Sequence, residues 1–161
     1  MIRQACEERL VIIEDTAEVQ IDKPNWVRFE ARRAQPDLRA VTIRDLLRLT
    51  PRMRPDRILL CEVRGIEAFD LLQAMNTGNQ GTLSTIHANS ATETLTRFVT
   101  CVMMAGIELP HRTVRANIAE GLDLIVHIER QTGQRSVHEV VQVKGDDPSG
   151  DDFDLQTIYT V

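Results

Sequence analysis

Short apolar runs alternate with segments of helical periodicity along the first two thirds of the chain. Residues 10–13 and 58–61 are continuous apolar runs, which are typical of strands buried on both faces. Residues 26–30 alternate apolar and polar positions, and residues 82–86 are rich in β-prone side chains. We therefore predict four strands in this part of the chain.

Helices are predicted between and after these strands. Thr42 with Asp45, and Ser90 with Glu93, have the three-residue spacing of a capping box at a helix start. Apolar residues then recur at helical spacing in four segments, which are residues 42–49, 68–75, 90–103 and 109–118. Strands that alternate with helices indicate an α/β fold with a parallel sheet.

The last third of the chain has a different pattern. Residues 122–128 and 137–143 are predicted strands joined by a turn at Gly133 and Gln134. Residues 145–154 are acidic and contain glycine, proline and serine, so we predict a solvated loop before a last edge strand at 155–161. The parallel sheet is thus expected to carry an antiparallel C-terminal tail.

Three predicted parallel strands end in residues that can do chemistry. Glu14 and Asp15 close the first, Glu62 closes the next, and His87 follows the third. Ligands of open α/β sheets bind at this carboxyl edge. Converging carboxylates repel one another unless they share a proton or a divalent cation, which with a phosphate ligand would be Mg²⁺. The alternative is that these acids are solvated loop residues.

Basic residues flank the same region. Arg52 and Arg54 precede the second apolar run and Arg64 follows its acid, so they either stabilise charge on a phosphoryl group or form surface salt bridges. His87 either senses a terminal phosphate or is structural. The remaining histidines lack ligand spacing, so we predict no zinc site.

Composition and charge narrow the classes of function. The chain has 161 residues, 42% of them hydrophobic, which corresponds to one globular domain. Its 24 acids and 19 bases give a net charge of −5, which disfavours direct nucleic-acid binding, as does an aromatic content of 4%. Three cysteines without a C-x-x-C pair, and the lack of a signal-like N-terminus, indicate a cytoplasmic protein.

Three motifs in order carry a family resemblance. The segment ILLCEVRGIEAFDLLQAMNTGNQGTLSTIHANS, preceded by RMRPD and by LVIIEDTAEVQ, resembles the secretion traffic ATPases. These are the hexameric motors of type II and type IV secretion, conjugal transfer and pilus assembly, and the chain is most similar to the tight-adherence pilus and conjugal-transfer branch. The resemblance runs from about Arg9 to the C-terminus.

The resemblance implies roles for individual residues. IIEDTAE is similar to the aspartate box, which would place Glu14, Asp15 and Glu18 near Mg²⁺ and the attacking water, with Glu18 as general base. ILLCEVRG is similar to the atypical Walker B motif, in which Glu62 contacts Mg²⁺ through water; Asp15 is the other implied metal-binding residue.

The remaining implied site residues come from two further matches. STIHANS is similar to the histidine box and would place His87 near the γ-phosphate, while Arg54 and Arg64 match arginines that the family keeps around this site. Two positions depart from the family pattern: Cys61 replaces a common glycine and Asn79 a frequent histidine.

The family's Walker A loop, G-x-x-x-x-G-K-[ST], is missing, and the chain has no Gly-Lys pair. The resemblance therefore implies that residues 1–161 are the C-terminal portion of a RecA-like P-loop motor domain, without the N-terminal domain. The intact protein would bind ATP and Mg²⁺ and form a hexamer at the cytoplasmic face of the bacterial inner membrane, beside secretion or pilus components. We expect the isolated chain to be inactive. The alternatives are a non-catalytic oligomerisation or interaction module and, less favoured, direct DNA binding.

Overall fold

The computed structural model describes residues 8–22, 24–78, 81–131, 133–147 and 152–161. Five strands and helices precede residue 80, with one 3₁₀ turn at Thr50–Met53 after the first helix; they are β1 Leu10–Glu14, β2 Trp26–Glu30, α1 Ile43–Leu49, β3 Arg57–Leu60 and α2 Glu67–Asn76. The elements that follow are β4 Leu83–Ser84, α3 Ala91–Met103, α4 His111–Gly121, β5 Leu124–Gln131, β6 Gln134–Asp146 and β7 Phe153–Thr160.

The first four strands form one parallel sheet in the order β2-β1-β3-β4. β1 lies between two neighbours, with Ile12 opposite Arg28 on one side and Leu59 on the other. All five residues of β1 are buried, as expected for a central strand covered on both faces. Parallel pairing brings the carboxyl ends of β1, β3 and β4 to the same edge.

Two helices begin at the predicted capping residues, although only the first has a complete capping box. The Thr42 side chain accepts a hydrogen bond from the Asp45 backbone N–H, and the Asp45 carboxylate accepts one from the Thr42 backbone N–H. Ser90 caps α3 by accepting from the Glu93 backbone N–H at 3.0 Å. Both caps satisfy backbone donors that a helix start leaves without intrahelical partners.

The C-terminal strands form a separate antiparallel sheet in the order β5-β6-β7. Ile125, Val141 and Val143 join its inner face to the hydrophobic core that the helices share with β1 and β3. Arg115 of α4 is buried, pairs with Asp146 of β6, and lies over the Phe153 ring with 5.2 Å between its guanidinium carbon and the ring centroid. These contacts fasten the second sheet to α4.

The predicted fold class, a mostly parallel sheet flanked by helices with an antiparallel C-terminal tail, is confirmed. Several boundaries were wrong. β4 has two residues instead of five, because the chain leaves the regular ladder after Ser84, although the Thr85 carbonyl still accepts from the Val63 N–H at 2.8 Å. β6 runs to Asp146, into the predicted loop. Asn79 lies outside the described residues.

Within the described part of the chain, no helix combines the length and hydrophobicity needed to cross a membrane.

Candidate active site at the carboxyl edge of the parallel sheet

The loops after β1 and β3 meet at one cavity. The cavity has a volume of about 250 Å³. Most of its lining residues have polar or charged side chains; the lining comprises Asp15, Thr16, Glu18, Ile43, Cys61, Glu62, Arg64 and Glu67. Three sequence-predicted acids and one predicted arginine are therefore brought together here, because β1 and β3 are adjacent and parallel.

Glu62 is the residue through which the other charged groups of the site are connected. Its Oε2 accepts a hydrogen bond from Arg64 Nη2 at 2.6 Å, and its Oε1 lies 3.3 Å from His87 Nε2. The hydrogen bond from Arg64 lowers the pKa of Glu62. Burial opposes this shift, and electrostatic interactions with Arg64, His87 and Arg97 add to it. Glu62 is thus an ionised carboxylate held between two basic side chains.

Arg64 connects the two acidic loops. Besides Glu62, its guanidinium lies 4.0 Å from the Asp15 carboxylate, measured from Nη1 to Oδ2. The hydrogen bond to Glu62 raises the pKa of Arg64. Glu67, at the start of α2, accepts from the backbone N–H groups of Arg64 at 2.5 Å and Gly65 at 2.8 Å, which holds this loop in shape. The Arg64 side chain is nonetheless 68% exposed, so a ligand can reach it.

Glu14 is arranged differently from the other acids. It is fully buried, and its Oε1 accepts from the backbone N–H groups of Glu18 at 2.9 Å and Val19 at 2.8 Å. Its Oε2 lies 3.0 Å from Arg28 Nε, an ion pair without the angles of a hydrogen bond. The carboxylate of Glu14 therefore shapes the 15–19 loop, while the exposed side chains of Asp15 and Glu18 line the cavity.

The pKa of the Cys61 thiol is affected by the acids of this region. Cys61 lines the cavity beside Glu62. Burial raises the pKa of Cys61, and the negative charges of Glu14, Glu18 and Glu62 raise it further. All three carboxylates are therefore near enough to the Cys61 sulfur to affect its pKa.

Arg54 lies apart from the residues around Glu62 within this chain. It ends the 3₁₀ turn after α1 with a positive φ of 49° and precedes the amino end of β3. Glu62 follows the carboxyl end of that strand, which is about 13 Å long at roughly 3.3 Å per residue. Within this chain, Arg54 is therefore an exposed residue at the opposite edge of the sheet.

Two residues of the region were missed by sequence reasoning. Glu67 could have been found, because an acid in the first turn of a helix commonly accepts from free backbone N–H groups. Arg97 carries no such signal, since its place four residues after Glu93 predicts an ordinary helix-surface pair.

The cavity contains oxygen atoms that could bind a magnesium ion. Asp15, Glu18 and Glu62 supply the oxygen ligands that Mg²⁺ prefers, and Thr16 adds a hydroxyl. Among the described residues, however, no group of three or more histidines, cysteines or acids could hold a metal ion. In proteins Mg²⁺ usually keeps several waters and binds one or two carboxylates together with substrate phosphates. Asp15 and Glu62 are the residues that would hold it.

Comparisons with known proteins show the family to which the chain is related. A model of the type II/IV secretion system protein family matches residues 2–151. The conjugal transfer protein TrbB of Rhizobium radiobacter is 39% identical over 145 residues, which cover 90% of this chain and 42% of that protein. The type IV secretion system protein PtlH of Bordetella pertussis is 41% identical over 145 residues, covering 84% of this chain and 41% of the relative.

Two solved structures are similar to this chain. The VirB11 ATPase of the Brucella suis type IV secretion system superposes with a TM-score of 0.74 at 33% identity, over 88% of this chain and 41% of that one. The Legionella pneumophila ATPase DotB shares the fold, with a TM-score of 0.61 at 21% identity over 83% and 37% of the two chains. The chain thus spans about two fifths of the length of these relatives.

Proposed function

Because the chain belongs to the type II/IV secretion system protein family, we propose that it provides the acidic and histidine elements of a motor domain that hydrolyses ATP during type IV secretion or conjugal transfer. The single observation that supports this role is the arrangement around Glu62. Asp15, Glu18, Glu62 and Arg64 line one cavity, and His87 contacts the same Glu62 carboxylate.

Each residue has a separate role in the proposal. Glu18 is the general base: its side chain faces solvent in the cavity while its backbone is held by Glu14. Asp15 and Glu62 bind Mg²⁺ through water, and the ion would neutralise charge on the phosphates when bound. Arg64 and His87 face the terminal phosphate and stabilise its charge.

We further propose that this chain does not hydrolyse ATP by itself. The sequence contains no G-x-x-x-x-G-K-[ST] loop, so the backbone N–H groups and the lysine that would cradle the phosphates are not supplied by these residues. ATP and Mg²⁺ would then bind weakly. Measurable turnover by the purified chain, lost in Glu62→Ala, would contradict this.

The catalytic roles are testable by grafting. Residues 9–147 would replace the corresponding segment of the conjugal transfer protein TrbB, which is 39% identical over 145 residues. We expect ATP hydrolysis by the chimera, and a loss in kcat of about 10²-fold or more for Glu18→Gln, as for other general bases. Glu62→Gln should also lose activity. Glu30→Gln, an exposed acid opposite Glu14 on β2, is the matched control. Full activity of the Glu18→Gln chimera would refute the assignment of the base.

In the intact protein we propose a homo-oligomer, a hexamer, at the cytoplasmic face of the bacterial inner membrane, where it would contact secretion or pilus components. Sedimentation of the chimera measures the oligomer directly. A chimera that stays monomeric while it hydrolyses ATP would contradict this part of the proposal.

A second candidate function is a non-catalytic interaction module. It is favoured by the exposed apolar residues on β5, the edge strand of its sheet: Leu124, Val126 and Ile128 are 47%, 52% and 57% exposed. Exposed strand edges with apolar side chains are prone to associate. Light scattering after size exclusion distinguishes the candidates, because a strict monomer at high concentration would count against this one.

A further inference from the structure

The outer face of α3 forms one side of a second, more open cleft beside Glu62. The cleft has a volume of about 680 Å³. Arg64, His87 and Asn89 line it from the loops, and Arg97 lines it from α3. The opposite face of α3 packs into the core through Leu95, Phe98 and Val102, so the side of the helix that carries Arg97 is fixed.

Arg97 does not form the helix-surface pair that its sequence position predicts. Glu93 lies four residues earlier, the spacing at which an acid normally pairs with a following base. The Glu93 carboxylate instead accepts a hydrogen bond from Asn89 Nδ2 at 2.8 Å. Across the ranges that the structure describes, Arg97 forms no salt bridge.

The other two basic side chains of the cleft are already engaged. Arg64 donates to one oxygen of Glu62 at 2.6 Å, and His87 lies 3.3 Å from the other. Arg97 is near enough for its charge to lower the pKa of Glu62, yet it makes no direct contact with that carboxylate. Its guanidinium therefore has its donors available to a ligand in the cleft.

We propose that Arg97 is a phosphate-binding residue, which contacts the phosphate chain of the nucleotide from the α3 side of the cleft. This assignment rests on the proposed ATP-hydrolysing function and adds a residue to it. The planar guanidinium donates two parallel hydrogen bonds to a phosphate, a geometry that lysine cannot reproduce. Asn89 and His87 in the same cleft supply further polar groups.

The local charge defines the form of the ligand. Glu93 lines the cleft, and Asp15, Glu18, Glu62 and Glu67 line the adjoining cavity. These carboxylates favour a phosphate that carries a divalent cation over a free anion. Magnesium pyrophosphate has the phosphate–phosphate linkage of the nucleotide without its base and is the appropriate probe.

The test is an NMR titration of the ¹⁵N-labelled 161-residue chain with magnesium pyrophosphate at constant ionic strength. Because the glycine-rich loop is not in this chain, we expect a millimolar dissociation constant, read from the amide shifts of Ala88 and Asn89. Arg97→Gln should weaken binding about three- to tenfold, the loss of one charge-assisted contact. Arg97→Lys should recover only part of it. Arg112→Gln, an exposed arginine on α4, is the matched control and should leave the dissociation constant unchanged.

The outcomes separate this inference from the function on which it rests. Equal dissociation constants for Arg97→Gln and Arg112→Gln, with weaker binding by Arg64→Gln, would overturn the role of Arg97 and leave the Glu62 site standing. Binding that none of these variants changes would overturn the site as a whole. Failure of the unmodified chain to bind at millimolar probe would also overturn the role of Arg97. Each variant changes an exposed side chain, and its unshifted spectrum would confirm the fold.

Discussion

Two arginine–carboxylate pairs in this molecule have the same chemistry but differ in how far the arginine is buried. Arg115 and Asp146 meet where α4 joins the antiparallel sheet, and their side chains are only 5% and 20% exposed. Arg64 and Glu62 meet at the carboxyl edge of the parallel sheet, where the arginine is 68% exposed. The carboxylates are equally shielded, so the difference lies in the arginine.

This difference in burial separates a structural pair from an available one. A buried arginine that loses its partner leaves an uncompensated charge, which costs several kcal/mol. An exposed arginine that leaves its partner is solvated by water and loses little. Arg64 can therefore exchange Glu62 for a phosphate during a reaction, whereas Arg115 must remain where it is for the second sheet to stay attached.

The largest expected effect comes from breaking the buried pair. Arg115→Met leaves the shielded Asp146 carboxylate without its partner, and we expect it to lower the free energy of unfolding by about 3 kcal/mol. The variant also removes the contact between Arg115 and the Phe153 ring. Urea unfolding measures the effect.

Arg112→Met, on the same helix but exposed, is the matched control and should change the stability by less than about 0.5 kcal/mol. Equal effects of the two substitutions would show that burial does not distinguish the pairs, and the comparison would then fail.

A second prediction concerns Glu14, the acid that is buried although it belongs to the site's motif. Glu14→Gln removes the charge that faces Arg28 and leaves an amide for the two backbone N–H groups. We expect a loss of about 2 kcal/mol, less than for a fully buried pair because Arg28 is partly exposed.

Urea unfolding and limited proteolysis in the 15–19 loop would both report the Glu14 substitution. Glu30→Gln lies opposite Glu14 on β2 but is exposed, and it should be nearly neutral. A protease-resistant loop in Glu14→Gln would show that the loop does not depend on this carboxylate.

The fold was predictable because its strongest signals are local. Continuous apolar runs marked β1 and β3, and the side chains of Thr42 and Ser90 marked the starts of α1 and α3. Parallel pairing then placed Asp15 and Glu62 at one edge without further information.

The sequence could not show at which end of a strand a residue lies relative to the site, or which of two adjacent side chains is buried. Arg54 is close to Glu62 in sequence, but a strand separates them, so they lie at opposite edges. Glu14 and Asp15 are adjacent acids, yet one is buried and the other is 61% exposed. Their difference arises because the loop turns back so that its N–H groups point at Glu14, which no pattern of residue types encodes.

A third prediction uses the exposed pair. The pKa of Glu62 lies below its ordinary value of 4.5, first because of the Arg64 hydrogen bond. A depressed pKa stabilises the folded state above the ordinary value, and this stability is lost as the pH falls through the folded-state pKa, below 4.5. Carbon-13 NMR of the Glu62 carboxyl should give a midpoint below 4.5 that rises in Arg64→Gln.

Arg97→Gln removes an equal charge without a hydrogen bond to Glu62, so it should raise that midpoint less. The stability lost in Arg64→Gln should stay under about 1 kcal/mol, as for other exposed pairs. A larger loss would mean that this pair, like Arg115 with Asp146, is structural.

The smallest expected effect is on the reactivity of Cys61, whose thiol lies in the site and is affected by the same carboxylates. Burial raises its thiol pKa above the ordinary value of 9.0, and the charges of Glu14, Glu18 and Glu62 raise it further. Less thiolate is therefore present near pH 8 than for a free cysteine. Alkylation by iodoacetamide, followed by peptide mass spectrometry, should be slow and should speed up a few-fold in Glu62→Gln. Cys101 provides an internal control, since burial raises its pKa without a contribution from Glu62. If Glu62→Gln changed both cysteines equally, the effect would come from a looser fold, and the available pair at the sheet edge would have to be regarded as a structural one.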